Sequence, residues 1–336
     1  MRSAGTLIAR NAGRLLSLAL LAAAALVASI ALGAADLPPG DVLDVLLGRG
    51  SEPARTIVWS LRLPRAILAL QVGAALGLAG AAFQALLRNP LAEPYVLGVS
   101  GGAAVGAVAA VVLGLSAAAP WSLPIAALAG GLIAIGVVLR IAMHATRGMD
   151  TRVLLLAGVV VGAFFNAVIL LLLTFASAET FRSAVFWMMG SLAGASWSVA
   201  LLLGAYLAPA MAALFLMARP LNLLSVGEET ALYLGTPVER VKLATYVLAS
   251  LLVAAGVAVS GIIGFVGLVV PHAVRLMWGS DHQLLLPASV LAGGGFLLAA
   301  DTVARTAAAP AELPVGVITA LVGVPLFIVL LTRRRL

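Results

Sequence analysis

The chain has 336 residues, of which 63% are apolar and only 10% charged, with a mean hydropathy of +1.16. Soluble domains carry about 25% charged residues, so this composition excludes a water-soluble globule and indicates a polytopic membrane protein. The formal charge of +7 does not point to nucleic acid, because the basic residues sit between apolar runs, where positive charge marks the cytoplasmic side of a membrane.

Apolar runs of about twenty residues, long enough to cross a bilayer, predict ten spans. They lie near 15–33, 64–87, 95–115, 121–142, 152–174, 196–218, 241–260, 261–277, 284–303 and 314–332. The first could pass for a signal peptide, but it lacks a convincing cleavage site and is as long as a true span. The stretch 243–277 reads either as one long helix or as two helices broken at Ser260-Gly261. Two helices place Arg2, Arg10 and Arg14 on the same side as Arg333, Arg334 and Arg335, so ten spans with both termini cytoplasmic follow from the positive-inside tendency. On this topology fourteen of the twenty basic residues lie inside. Arg49, Arg55, Arg62, Arg65, Arg182 and Arg305 are the six exceptions.

Between the spans three polar stretches stand out. The second span begins at Leu61-Arg62-Leu63-Pro64-Arg65 and ends in an elbow, Arg88-Asn89-Pro90-Leu91-Ala92-Glu93-Pro94, whose two prolines suffice for a rigid turn. The segment Phe181–Leu192 is too short to span and reads as an interfacial or re-entrant helix. The longest polar segment after the first outer loop, 219–242, falls on the cytoplasmic side. Within it Gly227 to Gly235 reads as a short amphipathic helix ended by Gly235 and Pro237, either a solvated connection or a docking surface. Small residues recur at four-residue spacing, as Gly73/Gly77, Gly98/Gly102/Gly106, Gly158/Gly162 and Gly190/Gly194, a pattern that lets helices approach closely in lipid.

The absences are equally informative. The 13 carboxylates lie outside the spans or at their ends, whereas an ion-coupled transporter keeps an ionisable group in the membrane. The one lysine, Lys242, is preceded by Val241, so a G-x-x-x-x-G-K-[ST] phosphate loop cannot occur. With no cysteine and three scattered histidines, His144, His272 and His282, no metal-ligand cluster is evident. A stand-alone secondary transporter or channel and an intramembrane enzyme are the rival readings. The first lacks the coupling carboxylate and the second any nucleophile–base or ligand set.

Four stretches, 61–106, 226–237 (VGEETALYLGTP), 260–276 (SGIIGFVGLVVPHAVRL) and 299–325, closely resemble the ordered motifs of the FecCD-type permeases. These are the membrane subunits of ABC importers for iron-siderophores, haem and vitamin B12. The resemblance covers nearly the whole chain, read as one polytopic domain over residues 1–336. It implies an all-α fold of ten transmembrane helices built from two inverted repeats, helices 2–5 and 7–10, with Gly80 and Gly261 as a faint internal echo. It further implies a homodimer in a bacterial inner membrane and two cytoplasmic ATPase subunits that use the ATP. A periplasmic or lipid-anchored binding protein completes the assembly, with no cofactor held by this chain and no nucleic acid bound. The cargo is a metal chelate, iron-siderophore or haem first and cobalamin as the alternative.

Residue by residue, the resemblance implies docking of the binding protein by Arg62, Arg65 and Arg305, three of the six topological exceptions; snorkelling anchors are the plainer reading of the first two. It implies a cytoplasmic gate at Asn89 and Leu91, with Thr151 at the start of helix 5. It implies contact with the ATPase through Gly227, Glu228, Ala231, Leu234 and Gly235. His272, in the Pro271-His272 pair, reads as a packing or capping residue.

Overall fold

A computed structural model describes residues 4–33, 35, 37–119, 121–145 and 148–332, without the side chains of 4–10 and 331. Arg2, Arg10, Arg147, Arg333, Arg334 and Arg335 of the charge count, and Asp36 of the carboxylates, therefore lie wholly or by side chain outside the described residues. Below, "inner" and "outer" name the two ends of the bundle in the sense of the positive-inside count.

All ten expected helices form, and the described residues contain no strand. They are α1 (Ala4–Ala31), α2 (Leu63–Leu86), α3 (Val99–Val112), α4 (Ser122–Ala145), α5 (Thr151–Thr174), α6 (Trp197–Leu216), α7 (Val238–Ser260), α8 (Val266–Trp278), α9 (His282–Thr306) and α10 (Val315–Thr332). Seven apolar helices are long enough to cross a membrane, and α3, α8 and α10 are shorter. The stretch 243–277 is two helices, separated by a non-helical segment from Gly261 to Phe265. Helix α1 starts earlier than its apolar run, so Arg14 lies inside it and stacks 5.8 Å over the Trp278 ring at the end of α8. The segment Phe181–Leu192 overlaps a short helix, Ala178–Met188, which starts three residues earlier and ends four residues sooner.

Helix α2 also reaches further out than its apolar core suggests. A short helix, Glu52–Arg55, and a wide π-type turn, Thr56–Arg62, precede it directly. Pro64 explains the turn. It has no N–H to donate and its ring would collide with the carbonyl four residues back. The ladder widens instead, and Leu63 N–H bonds to Val58 C=O, a local π solution. The segment 219–242 resolves into Ala218–Val226 and Glu228–Tyr233, after which Glu239 to Lys242 already belong to the first turns of α7.

The two halves repeat one pattern: a long helix (α2, α7), a break, a short helix (α3, α8) and two further helices. Each short helix begins just after a left-handed residue, Gly98 (φ 81°) before Val99 and Phe265 (φ 68°) before Val266. Gly80 and Gly261 are not equivalent, since the first lies inside α2 and the second ends α7. The leading helices run antiparallel. Gly256 faces Val72 near the outer end, and Tyr246 meets Phe83 towards the inner end, their rings 6.3 Å apart. That is the inverted relation expected of such repeats.

Helix α2 is the axle of the bundle, buried along most of its length. Its glycines set the distances. A Cβ on Gly73 or Gly77 would collide with the backbone of Gly293 or Ser289 on α9, and one on Gly80 with the carbonyl of Gly267 on α8. Gly102 and Gly106 meet α4 at Gly130 and Ala126, and Gly158 meets the carbonyl of Val96 and the Cα of Leu97. Gly194 alone of the predicted small-residue faces looks into open space. In lipid, where burying apolar side chains between helices gains little, such backbone approach is a principal source of packing energy.

Gly80→Ala should therefore force α2 and α8 apart and destabilise the protein by about 1–3 kcal/mol, as overpacking does. Gly136→Ala, with nothing within 4 Å of the new Cβ, should be neutral or slightly stabilising. Thermal unfolding of both variants in the same detergent compares them directly.

Candidate functional site

At the outer end three arginines converge, but on the chain's own groups. The π turn swings Arg62 inward until it is 5% exposed. Its guanidinium donates to the carbonyls of Ile30 (2.7 Å), Ala31 (2.8 Å) and Ala35 (2.7 Å). A helix end leaves its last carbonyls without intrahelical partners and carries partial negative charge, so Arg62 closes the end of α1. Gly33 gives it room, since a Cβ there would lie 2.8 Å from Nη2. Arg305, equally buried, donates to the Ser29 carbonyl and to Ser29 Oγ (2.8 Å), with Nε 3.5 Å from Asp301 Oδ2. Arg65 forks. Nε and Nη2 hold Asp301 at 3.1 and 2.9 Å, and Nη1 holds Glu312 at 2.9 Å. Asp301 is fully buried, whereas the Glu312 side chain is 40% exposed. The predicted trio is thus brought together as the lock between α1, α2 and α9.

Midway along the bundle the elbow meets the break. Arg88 takes a left-handed φ of 47°, Asn89 Oδ1 accepts from Leu91 N–H at 2.9 Å, and a tight 3-10 turn, Pro94–Leu97, leads into α3. Tyr95 hydroxyl donates to Ile263 C=O (2.7 Å) and accepts from Ile263 N–H (3.0 Å). Glu93 Oε1 accepts from Phe265 N–H at 3.1 Å. Pro94 lies against Gly267, which touches Gly80 six residues before α2 ends, about 9 Å deep at 1.5 Å per residue. Glu93 is therefore drawn inside the bundle. Apolar run lengths place every carboxylate outside the spans or at their ends. This one is carried inward because its loop re-enters, which apolar run lengths do not reveal. His272, in α8, packs edge-on against Phe327 at 6.1 Å.

The inner end holds a second ionic cluster that the sequence reading did not single out. The Lys242 side chain is 3% exposed, and its ammonium contacts Glu228 Oε2 at 2.9 Å and Glu239 Oε1 at 2.6 Å. Glu228 also faces Arg88 at 3.4 Å, and Glu239 Oε2 accepts from Met149 N–H at 2.6 Å. A cavity of about 460 Å³ opens between these groups, walled among others by Arg88, Thr151, Arg152, Glu228, Glu239 and Lys242. Thr151, expected as a second gate element at the start of helix 5, lines this cavity just after Asp150, which caps α5 through Arg152 N–H at 2.7 Å; Asn89 and Leu91 are not among its walls. The signal available in the sequence is a lone lysine three residues after a glutamate, at the end of the cytoplasmic segment 219–242.

Beside the cavity, the helix Glu228–Tyr233 is bounded by Gly227 (φ 150°) and Gly235 (φ 80°). Ala231 turns inward and is fully buried, while Tyr233 and Leu234 are 89% and 63% exposed. Of the expected coupling residues, Leu234 faces outward, Ala231 anchors the helix, and the two glycines shape it.

The family described as the FecCD transport family matches residues 20–333. The vitamin B12 import system permease protein BtuC of Salmonella paratyphi A is 44% identical over 324 residues, 96% of each chain. The protein of that name from Klebsiella pneumoniae is 42% identical over 321 residues, 96% of this chain and 94% of the other. Among solved structures, an inward-facing conformation of a metal-chelate type ABC transporter superposes with a TM-score of 0.85 at 33% identity, covering 95% of this chain and 98% of that one. PsaBC from Streptococcus pneumoniae, at 16% identity and a TM-score of 0.55 over 86% of this chain and 95% of that one, shares the fold.

Asp301→Ala would leave Arg65 and Arg305 buried without their common carboxylate and should cost about 3–5 kcal/mol. Tyr95→Phe removes the hydroxyl that serves both polar groups of Ile263 and should cost about 1–3 kcal/mol. Thermal unfolding in detergent should rank Asp301→Ala below Tyr95→Phe and both below the parent.

Proposed function

The chain belongs to the FecCD transport family, and from that premise we propose that it is the membrane permease subunit of a binding-protein-dependent ABC importer, with vitamin B12 as its cargo. The observation that carries the reading is 44% identity along 96% of both chains to a permease named for vitamin B12 import. The solved metal-chelate relative keeps iron-siderophore or haem as the second cargo class, the one the sequence resemblance put first. The chain itself performs no chemistry. Its only lysine cannot build a phosphate loop, so ATP is bound and split by a separate subunit.

In this reading two copies of the chain form a homodimer in the bacterial inner membrane, with both termini cytoplasmic and lipid around the rim. Two ATPases seat on the inner face at the segment 219–242. Support comes from the exposed Val226, Leu232, Tyr233 and Leu234, an apolar patch that a soluble partner would cover. The elbow at Asn89 and Leu91 and the start of α5 at Thr151 close the pathway from inside. A periplasmic or lipid-anchored binding protein docks on the outer face. There Arg62, Arg65 and Arg305 outnumber Asp301 and Glu312 by one charge, and Glu312 is the exposed member. An acidic residue of the binding protein takes Glu312's place on Arg65, using the directional pairing that a guanidinium offers a carboxylate. Arg62 and Arg305 hold the frame around it.

Reconstituted with its ATPase and binding protein in proteoliposomes, the permease should take up radiolabelled cyanocobalamin only with ATP, and a ferric siderophore or haem should not compete. Competition by a siderophore or haem would transfer the cargo assignment to that chelate. Leu234→Asp should abolish uptake while leaving the protein inserted, since a mismatched charge in a buried contact costs about 2–5 kcal/mol; undiminished uptake would remove the coupling assignment. Arg65→Glu should weaken binding-protein affinity, measured in nanodiscs, most strongly at low salt.

A further inference from the structure

We propose that Lys242 is a positioning residue that transmits movement of the ATPase-facing helix Glu228–Tyr233 to the inner ends of α2 and α5. The inference rests on the coupling-segment reading above and adds the link from that segment to the pathway.

The arrangement has a specific logic. Lys242 is the chain's only lysine, and its ammonium is buried between two carboxylates. Each carboxylate uses one oxygen for the ammonium and the other for a separate piece of chain. Glu228 sits on the coupling helix and reaches Arg88, the first residue of the elbow after α2. Glu239 reaches Met149 N–H, two residues before Thr151 and the start of α5. Three connections far apart in sequence are therefore tied through one charge.

Two observations favour transmission over plain anchoring. The tied segments do not pack solidly on one another but border a cavity of about 460 Å³, which leaves them free to move as a set. The coupling helix has a single buried residue, the small Ala231, and Glu228 supplies its ionic tie to the body. A buried ammonium cannot be left short of its carboxylates without a large penalty. When a partner displaces Glu228, the buried Lys242 is drawn with it and, through Glu239, so is the 149–151 stretch; Arg88, half exposed and 3.4 Å from Glu228, is the weaker tie.

The test uses the permease–ATPase–binding-protein complex in proteoliposomes, with Leu91→Cys as a labelling reporter in this cysteine-free chain. Lys242→Met keeps the stem and removes the charge. The expected result is an ATPase that still co-purifies and still hydrolyses ATP, cargo moved per ATP lowered by about tenfold, within the usual range of coupling effects, and loss of any difference in Leu91→Cys labelling with and without ATP. Lys242→Arg should restore most of both readouts, which a purely steric role would not require. Should Lys242→Met fail to insert, Glu239→Gln is read in the same way. A parent-like ratio of cargo to ATP in Lys242→Met overturns the proposal, as does loss of the ATPase from the complex, which would make Lys242 part of the docking surface instead. Failure of the underlying coupling reading shows separately, as normal uptake by Leu234→Asp.

Discussion

Backbone that leaves the helical ladder inside a bilayer has to find its hydrogen bonds within the protein. This fold does so twice, and most of its architecture follows from how the two breaks are closed. The chain re-enters from the inner end through residues 88–98 and from the outer end through 261–265, and the two segments meet. Tyr95 serves both polar groups of Ile263, and Glu93 serves the amide of Phe265. Each segment supplies the partners the other lacks, and α3 and α8 can be short because each starts within the bundle. The glycine contacts follow as well, since Gly267 must come against Gly80 for α8 to begin where it does.

Charge at the outer end obeys the same rule. The end of α1 would leave several carbonyls in a poorly hydrated place, and Arg62 and Arg305 satisfy them. Asp301 then offsets Arg65 and Arg305 together. A cluster of three cations and two anions that also fastens α1 to α2 and α9 is held rigidly enough to present Arg65 in one orientation. Structural locking and a role at the outer face are compatible, because the exposed Glu312 is the only member that can be exchanged without opening the lock.

The inner end is built on the opposite plan. Its ionic cluster surrounds a cavity instead of filling one, and the apolar side chains beside it point outward. Outer rigidity with inner looseness suits the proposal that the pathway is worked from the inner end by another subunit.

Much of this was legible from residue order alone. Ten apolar runs, the small-residue faces other than Gly190/Gly194, the elbow prolines and the short helix ended by Gly235 depend on local composition and spacing, and these appear in the fold. Arg62, Arg65 and Arg305 stand out in the sequence as exceptions to a topological rule, but spacing does not name their partners. Hydropathy shows that a segment is too polar or too short to span; it carries no information on whether the segment turns back into the bundle, and so Glu93 was placed outside. Nor could spacing join Lys242 to Arg88 and Met149. By itself the sequence determined the medium, the number of helices and the family, because these depend on how apolar and small residues are distributed along the chain. Only the tertiary structure decided which carbonyl each arginine caps, which break each loop closes and which segments share one lysine, because those are pairings between residues far apart in sequence that exist only once the helices have packed.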